Sequence, residues 1–152
     1  MTTPSGREII DQTLGRFVRG HHLLTDGVRL DDDYFSLSRE VDGRAIVFLA
    51  RSVDPETVRS MFPRLHHVFE QRHALHRSAV EAIVYEFSEA TPAPEELDDA
   101  RDDLVLDTVE VFPDGEVVLN LTDTCGSHFM DGYWPAVQFS IDDRVVKVTV
   151  EC

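Results

Sequence analysis

The chain has 152 residues, of which 42% are hydrophobic and 28% charged, proportions typical of one soluble globular domain with a real core. Its formal net charge of −15 argues against sequence-independent binding to nucleic acid or to an anionic membrane. With no apolar run of roughly 20 residues to span a bilayer, no secretory signal pattern and only two cysteines, Cys125 and Cys152, we expect a cytoplasmic protein.

The first predicted elements are a helical turn and a strand. Ser5-Gly6-Arg7-Glu8 has the spacing of a capping box, which favours a helix start. Residues 16–19 alternate instead, as a strand does. We therefore predict a short helical turn to about Gln12 and a strand over residues 14–20. Residues 21–33 contain an Asp-Gly pair and predict a loop or a weak hairpin.

A hairpin follows at residues 34–51. Residues 34–41 alternate between apolar and polar side chains, and Asp42-Gly43 is a two-residue turn that tolerates positive φ. The return strand, residues 44–51, is apolar on both faces. That pattern predicts a central strand covered on both sides.

The middle of the chain is predicted to be helical. Asp54 is suited to cap a helix and Pro55 to occupy its first position. Apolar residues then recur at helical spacing to about Glu89. We expect a break within residues 72–77, which gives two helices, and an acidic connection or one more helical turn over residues 95–103.

Residues 104–152 predict two hairpins joined by a glycine-rich aromatic loop at residues 122–133. Their turns are Pro113-Asp114-Gly115 and Asp142-Asp143. The last strand alternates valines, which are predicted to be buried, with polar residues. One face of the sheet is therefore expected to be exposed to solvent. The fold class is therefore α+β in a single domain: an antiparallel sheet of about six to seven strands, with a helix pair inserted between the central hairpin and the C-terminal hairpins and packed on one face.

The order of these elements resembles small bacterial α+β domains of unknown function. The resemblance depends on four short motifs: Leu14-Gly15, Phe112-Pro113-Asp114-Gly115, Gly132-Tyr133-Trp134 and Val148-Thr149-Val150-Glu151. It implies an α+β fold and a cytoplasmic accessory role, and it supplies no catalytic residues.

Three histidines are an alternative metal site. His66, His73 and His76 would share one face of a continuous helix. No further His or Cys with zinc-finger spacing accompanies them, and a helix break would separate them. Partly buried or helix-end histidines are therefore the preferred interpretation, and no metal or other cofactor is predicted.

The motifs that could carry catalysis are weak. In Cys125-Gly126-Ser127-His128 a thiol lies close to a base, but sequence neighbours rarely point at one another. Neighbouring acids occur by chance among 29 acidic residues, and no phosphate-binding glycine loop is present. We predict no catalytic residues.

The aromatic loop and its acids are the candidate partner-binding site. Exposed aromatics beside charge are typical of interface hot spots, although burial of Phe129 and Trp134 over the open end of the core is the preferred interpretation. The excess charge lies in the same half: residues 86–152 carry 17 acids against 3 basic residues, net −14. The candidate residues are Asp102, Asp103, Asp123, His128, Phe129, Asp131, Tyr133 and Trp134.

These observations favour a non-enzymatic cytosolic protein that binds another, basic, protein through its acidic half. One concrete form is an immunity-type inhibitor of a basic toxin such as a nuclease. A small hydrolase or metal-dependent enzyme that uses the helical histidines or His128 is one alternative. A structural subunit that forms a homodimer through a sheet edge is the other.

Overall fold

A computed structural model describes residues 6–152, which form one eight-stranded sheet with three helices on one face. Neighbouring strands are antiparallel, except that β4 and β5 are parallel. The strands follow one another across the sheet in chain order: β1 (Glu8–Asp11), β2 (Gly15–Leu23), β3 (Arg29–Val41), β4 (Arg44–Ala50), β5 (Leu104–Val111), β6 (Val117–Asp123), β7 (Trp134–Phe139) and β8 (Val145–Glu151). Along the chain, three helices follow β4 and precede β5: α1 (Pro55–Glu70), α2 (Arg72–Phe87) and α3 (Pro94–Asp103).

The predicted α+β class is confirmed, but two details of it were wrong. The sheet has eight strands rather than six or seven. The insertion holds three helices rather than a pair, because the acidic connection is the ten-residue helix α3. Its first turn carries Glu95 and Glu96, which the positive end of the helix dipole favours. Leu97 and Ala100 supply the apolar contacts that hold it to the core.

The predicted N-terminal helical turn is wrong, since residues 8–11 form strand β1. Ile9 is buried and Ile10 is 67% exposed, which is the alternation of a strand with one covered face. Pairing with β2, where Ile9 faces Phe17, outweighs the local helix signal. The predicted capping residue Ser5 lies outside the described residues.

The hairpin predicted at residues 34–51 is formed by β3 and β4. Asp42 and Gly43 both have positive φ, 53° and 83°, as this two-residue turn requires. β4 lies in the middle of the sheet, as predicted. Its second face is not fully covered, however, because Val47 and Leu49 are only half-buried on the face away from the helices.

α1 begins where local chemistry favours it, whereas α2 follows Gln71, whose side chain makes no capping bond. Asp54 caps α1 by accepting the backbone N–H of Thr57 at 3.1 Å, and Pro63 lies inside α1 without ending it. The break falls at Gln71, one residue before the predicted window. The buried residues of both helices pack against the phenylalanines of the sheet in one core.

Arg64 joins α1 to two turns at the far end of the sheet. Its guanidinium donates to the carbonyls of Gly115 and Ser140 at 2.8 and 3.0 Å and to Asp143 Oδ1 at 2.7 Å. The side chain is only 13% exposed, so these bonds are shielded from water and hold the helix layer on the sheet.

No helix within residues 6–152 combines the length and the apolar character needed to cross a membrane.

Candidate functional site

An apolar groove opens between the end of α2, α3, strand β8 and the β6–β7 loop, residues 124–133. Its volume is about 530 Å³, within the range of small-ligand and side-chain pockets. The walls are mainly hydrophobic. The residues that line it include Phe87, Ser88, Glu96, His128, Phe129, Met130, Tyr133 and Val150.

Large apolar side chains remain open to solvent around this groove. Phe87 is 54% exposed, Met130 77%, Tyr133 45% and Val150 42%. Phe129 is instead partly buried and packs against the core, so the core-capping interpretation holds for Phe129. An exposed cluster of this kind on one side of the molecule is unusual for a surface that contacts only water.

Asp123, the last residue of β6, organises the β6–β7 loop. Its Oδ2 accepts the backbone N–H groups of His128 at 2.8 Å and Phe129 at 3.0 Å, and its Oδ1 accepts from Cys125 Sγ at 3.3 Å. Burial would raise the pKa of Asp123, but the bonds from Phe129, His128 and Cys125 outweigh it and hold the pKa below its usual value. The ionised carboxylate therefore fixes the loop conformation.

The loop is also tied to the end of α3. Thr124 donates both its backbone N–H and its hydroxyl to the carbonyl oxygen of Asp103, each at 2.8 Å. The side chain of Asp103 lies 2.9 Å from His128 Nε2. As a result Asp103, Cys125 and His128 come together, with one ligand atom from each within 4.8 Å of the others.

The helix beside the groove, α3, is acidic. α3 contains Asp102 and Asp99 on its exposed surface, and no basic side chain in the described part of the chain forms an ion pair with either. The single arginine of α3, Arg101, is already paired with Asp98 and Glu81. Glu96 faces the groove itself, where the Ser88 hydroxyl donates to it at 2.9 Å.

Most of the predicted partner-binding residues line the groove or a pocket that adjoins it. His128, Phe129 and Tyr133 line the groove. The exposed Asp131 and the half-buried Trp134 line the adjoining pocket, which Phe129 and Tyr133 also line.

Trp134 belongs to a polar network on the face of the sheet that the helices leave open. Its Nε1 donates to Asn120 Oδ1 at 2.9 Å, and Asn120 Nδ2 donates to Glu110 Oε2 at 2.8 Å. Arg51 donates to the other oxygen of Glu110, at 3.0 Å from Nε. A half-buried indole with its N–H satisfied is a structural part of the sheet.

The three helical histidines have three different partners. His66 Nε2 lies 2.8 Å from both oxygens of Asp11 in β1, and His73 Nε2 lies 3.4 Å from Asp42 in the β3–β4 turn. His76 Nε2 donates to the carbonyl of Leu104 at 2.6 Å. Within residues 6–152, the three side chains that lie close enough together to hold a metal ion are those of Asp103, Cys125 and His128.

Several groove residues were not predicted. Phe87 continues the helical spacing of apolar residues, and the valines of β8 were expected to be buried, but Phe87 and Val150 are 54% and 42% exposed. The α2 layer covers Val148 only in part. No local sequence signal separates an exposed Phe at the end of a helical stripe from a buried one.

Comparison of the chain with protein-family models, with curated proteins and with solved structures gives no match. What the protein binds is therefore inferred from the geometry of the groove and of the cluster beside it.

Proposed function

We propose that this protein is a non-enzymatic binding protein whose groove receives a large apolar side chain from a positively charged segment of a partner protein. The observation that carries the proposal is the exposure of Phe87, Met130 and Tyr133 over one groove beside the acidic helix α3. The apolar groove and the acidic helix each select for a different property of the partner.

The apolar part selects for a side chain such as Leu or Phe. Burial of apolar surface contributes about 25 cal/mol per Å², and aromatic residues in a pocket dominate the energy of many interfaces. Phe129 forms the floor, since it packs on the core, while Met130 and Tyr133 stand at the mouth. A partner side chain inserted between them would displace water from all three.

The acidic part selects for lysine or arginine around that side chain. Residues 86–152 carry a net charge of −14, and Arg101 is paired within the protein. The uncompensated carboxylates of α3 therefore attract basic partners and repel acidic ones, which raises association rate and specificity.

An immunity-type inhibitor of a basic toxin, such as a nuclease, is the concrete form of this proposal. A toxin that binds nucleic acid presents a positive surface, which a compact acidic protein can cover. Such an inhibitor acts in the cytoplasm and needs no catalytic residues of its own.

Site-specific photocrosslinking in the host tests the proposal. A photoreactive residue replaces Met130, which is 77% exposed at the groove, and in a matched control it replaces Val53, which is 52% exposed away from it. We expect a discrete adduct with a basic protein at position 130 and not at position 53. Identical adducts at both positions, or an acidic captured protein, would reject the groove as the docking site.

A homodimer through β8 is the second candidate. β8 pairs with β7 alone within the described residues, and Val146 is 53% exposed beside this free edge. Edges with exposed β-branched residues pair readily with a second copy. Light scattering at two protein concentrations separates the candidates: a monomer at both concentrations excludes the dimer, and loss of a dimer in Val146→Lys supports it.

A further inference from the structure

We infer that Asp103, Cys125 and His128 form a binding site for a divalent transition-metal ion of the zinc class. The three residues come from two segments, the end of α3 and the β6–β7 loop. This inference is drawn from the side-chain cluster and does not depend on the identity of the groove's partner.

The geometry is close to that of a three-ligand zinc site. Asp103 Oδ2 and His128 Nε2 are 2.9 Å apart. The Cys125 Sγ atom lies within 4.8 Å of a ligand atom of each of these two residues. Bond lengths of about 2.0 Å to nitrogen or oxygen and about 2.3 Å to sulfur separate tetrahedral ligand atoms by about 3.3 to 3.8 Å. Because Cys125 and His128 are exposed, rotation of their side chains can close the remaining distance.

The backbone around the cluster is held by groups that are not ligands. Asp123 accepts the backbone N–H of His128 and the thiol of Cys125, and Thr124 fastens the loop to the carbonyl of Asp103. Supporting hydrogen bonds of this kind orient the ligands of metal sites. Metal binding would replace the thiol bond of Cys125 and the side-chain contact between His128 and Asp103. It would leave intact the backbone bonds that keep the two segments together.

The donor set selects the class of metal. Thiolate and imidazole favour Zn²⁺ or Co²⁺, whereas Mg²⁺ and Ca²⁺ take oxygen ligands. Binding forms a bond from the metal to Cys125 Sγ and releases the thiol proton to solvent, while neutral His128 donates its Nε2 lone pair. Three protein ligands leave a fourth tetrahedral position for water or a partner group, at the rim of the groove that His128 lines.

The same contacts do not form a nucleophile and its base. Cys125 Sγ lies 3.3 Å from Asp123 and 2.8 Å from Ser127 Oγ, while His128 Nε2 is bonded to Asp103. A cysteine nucleophile would need the imidazole as its hydrogen-bond partner. The three possible ligand atoms instead lie within 4.8 Å of one another.

Cobalt titration of the untagged, reduced protein tests the site. The Cys152→Ser variant is the starting protein, because Cys125 is then its only cysteine. Co²⁺ should produce a thiolate-to-cobalt charge-transfer band that saturates at one ion per chain and disappears on addition of Zn²⁺. Cys125→Ser in the same background should give no band. His128→Ala and Asp103→Asn should each weaken Co²⁺ binding at least about tenfold.

The matched control is His73→Ala, which removes a more exposed histidine, 71% open to solvent and paired with Asp42. It should leave the titration unchanged, and thermal melts of all variants should show that they fold. Absence of the band in the folded Cys152→Ser protein, or a titration that His128→Ala does not alter, overturns the inference. Neither result bears on whether the groove binds a basic protein.

Discussion

Phe87, the last residue of α2, and Phe129, in the β6–β7 loop, meet edge to face with ring centroids 5.8 Å apart and planes at 87°. This contact joins the helix layer to the loop and shapes one wall of the groove. Its geometry is the favourable arrangement for two aromatic rings.

The pair should be coupled energetically. We expect Phe87→Ala and Phe129→Ala to destabilise the protein non-additively, with a coupling free energy of about 0.5 to 1.5 kcal/mol. Urea unfolding of both single variants and the double variant measures this value. Additive losses would show that the rings adjoin without stabilising the loop.

Arg64 should contribute more to stability than a surface arginine on the same helix. We expect Arg64→Ala to lower the free energy of unfolding by about 2 to 3 kcal/mol, because it removes shielded bonds to two carbonyls and a carboxylate. The matched control, Arg59→Ala, removes an ion pair with Glu56 one turn away on the helix surface. It should cost less than about 0.5 kcal/mol. Equal losses in urea unfolding would contradict the role of Arg64 as the link between α1 and the turns.

Acid should weaken the same link through Asp143. Burial raises the pKa of this carboxyl, but His67 and Arg64 outweigh it and hold the pKa below its usual value. A carboxyl with a lowered folded-state pKa stabilises the fold above its unfolded pKa of about 3.9, and the contribution is lost as pH falls through the lowered value. Asp143→Asn should therefore be less stable than wild type at pH 6, and this difference should shrink as the pH falls from about 4 towards 2. A stability difference that does not change between these pH values would refute the linkage.

The charge of α3 should control how fast the basic partner associates. We expect Asp99→Asn/Asp102→Asn to reduce the association rate constant a few-fold at low salt, and added salt should remove the difference. The control Glu40→Gln/Glu70→Gln removes the same charge from exposed sites on β3 and α1 rather than on α3. Stopped-flow kinetics measure the association rate constant of each double variant. Equal effects of the two double variants would mean that net charge, rather than the charge of α3, attracts the partner.

The predictable parts of the fold are those that short-range chemistry determines. The Asp42-Gly43 turn and the Asp54-Pro55 helix start are local signals, and both are present in the structure. β1 was missed because a capping-box pattern competed with two isoleucines whose alternation is only evident once β2 pairs with them. α3 was underestimated because its sequence is mostly acidic and only Leu97 and Ala100 reach the core.

The groove was harder to predict than the sheet. The sequence indicates an aromatic loop and an acidic half, but the groove brings together residues as distant as Phe87 and Val150. The position of Asp103 beside His128, 25 residues away along the chain, likewise depends on how α3 ends against the loop. Such contacts follow from tertiary packing, so periodicity and spacing do not reveal them.

The most direct test of the central claim is a calorimetric titration of the captured partner with Tyr133→Ala and Tyr85→Ala. Both tyrosines are exposed, at 45% and 57%, but only Tyr133 lines the groove. We predict that Tyr133→Ala raises Kd about thirtyfold, the effect of a hot-spot residue worth about 2 kcal/mol, and that Tyr85→Ala changes it less than about twofold. Equal Kd values for the two variants would contradict binding in the groove.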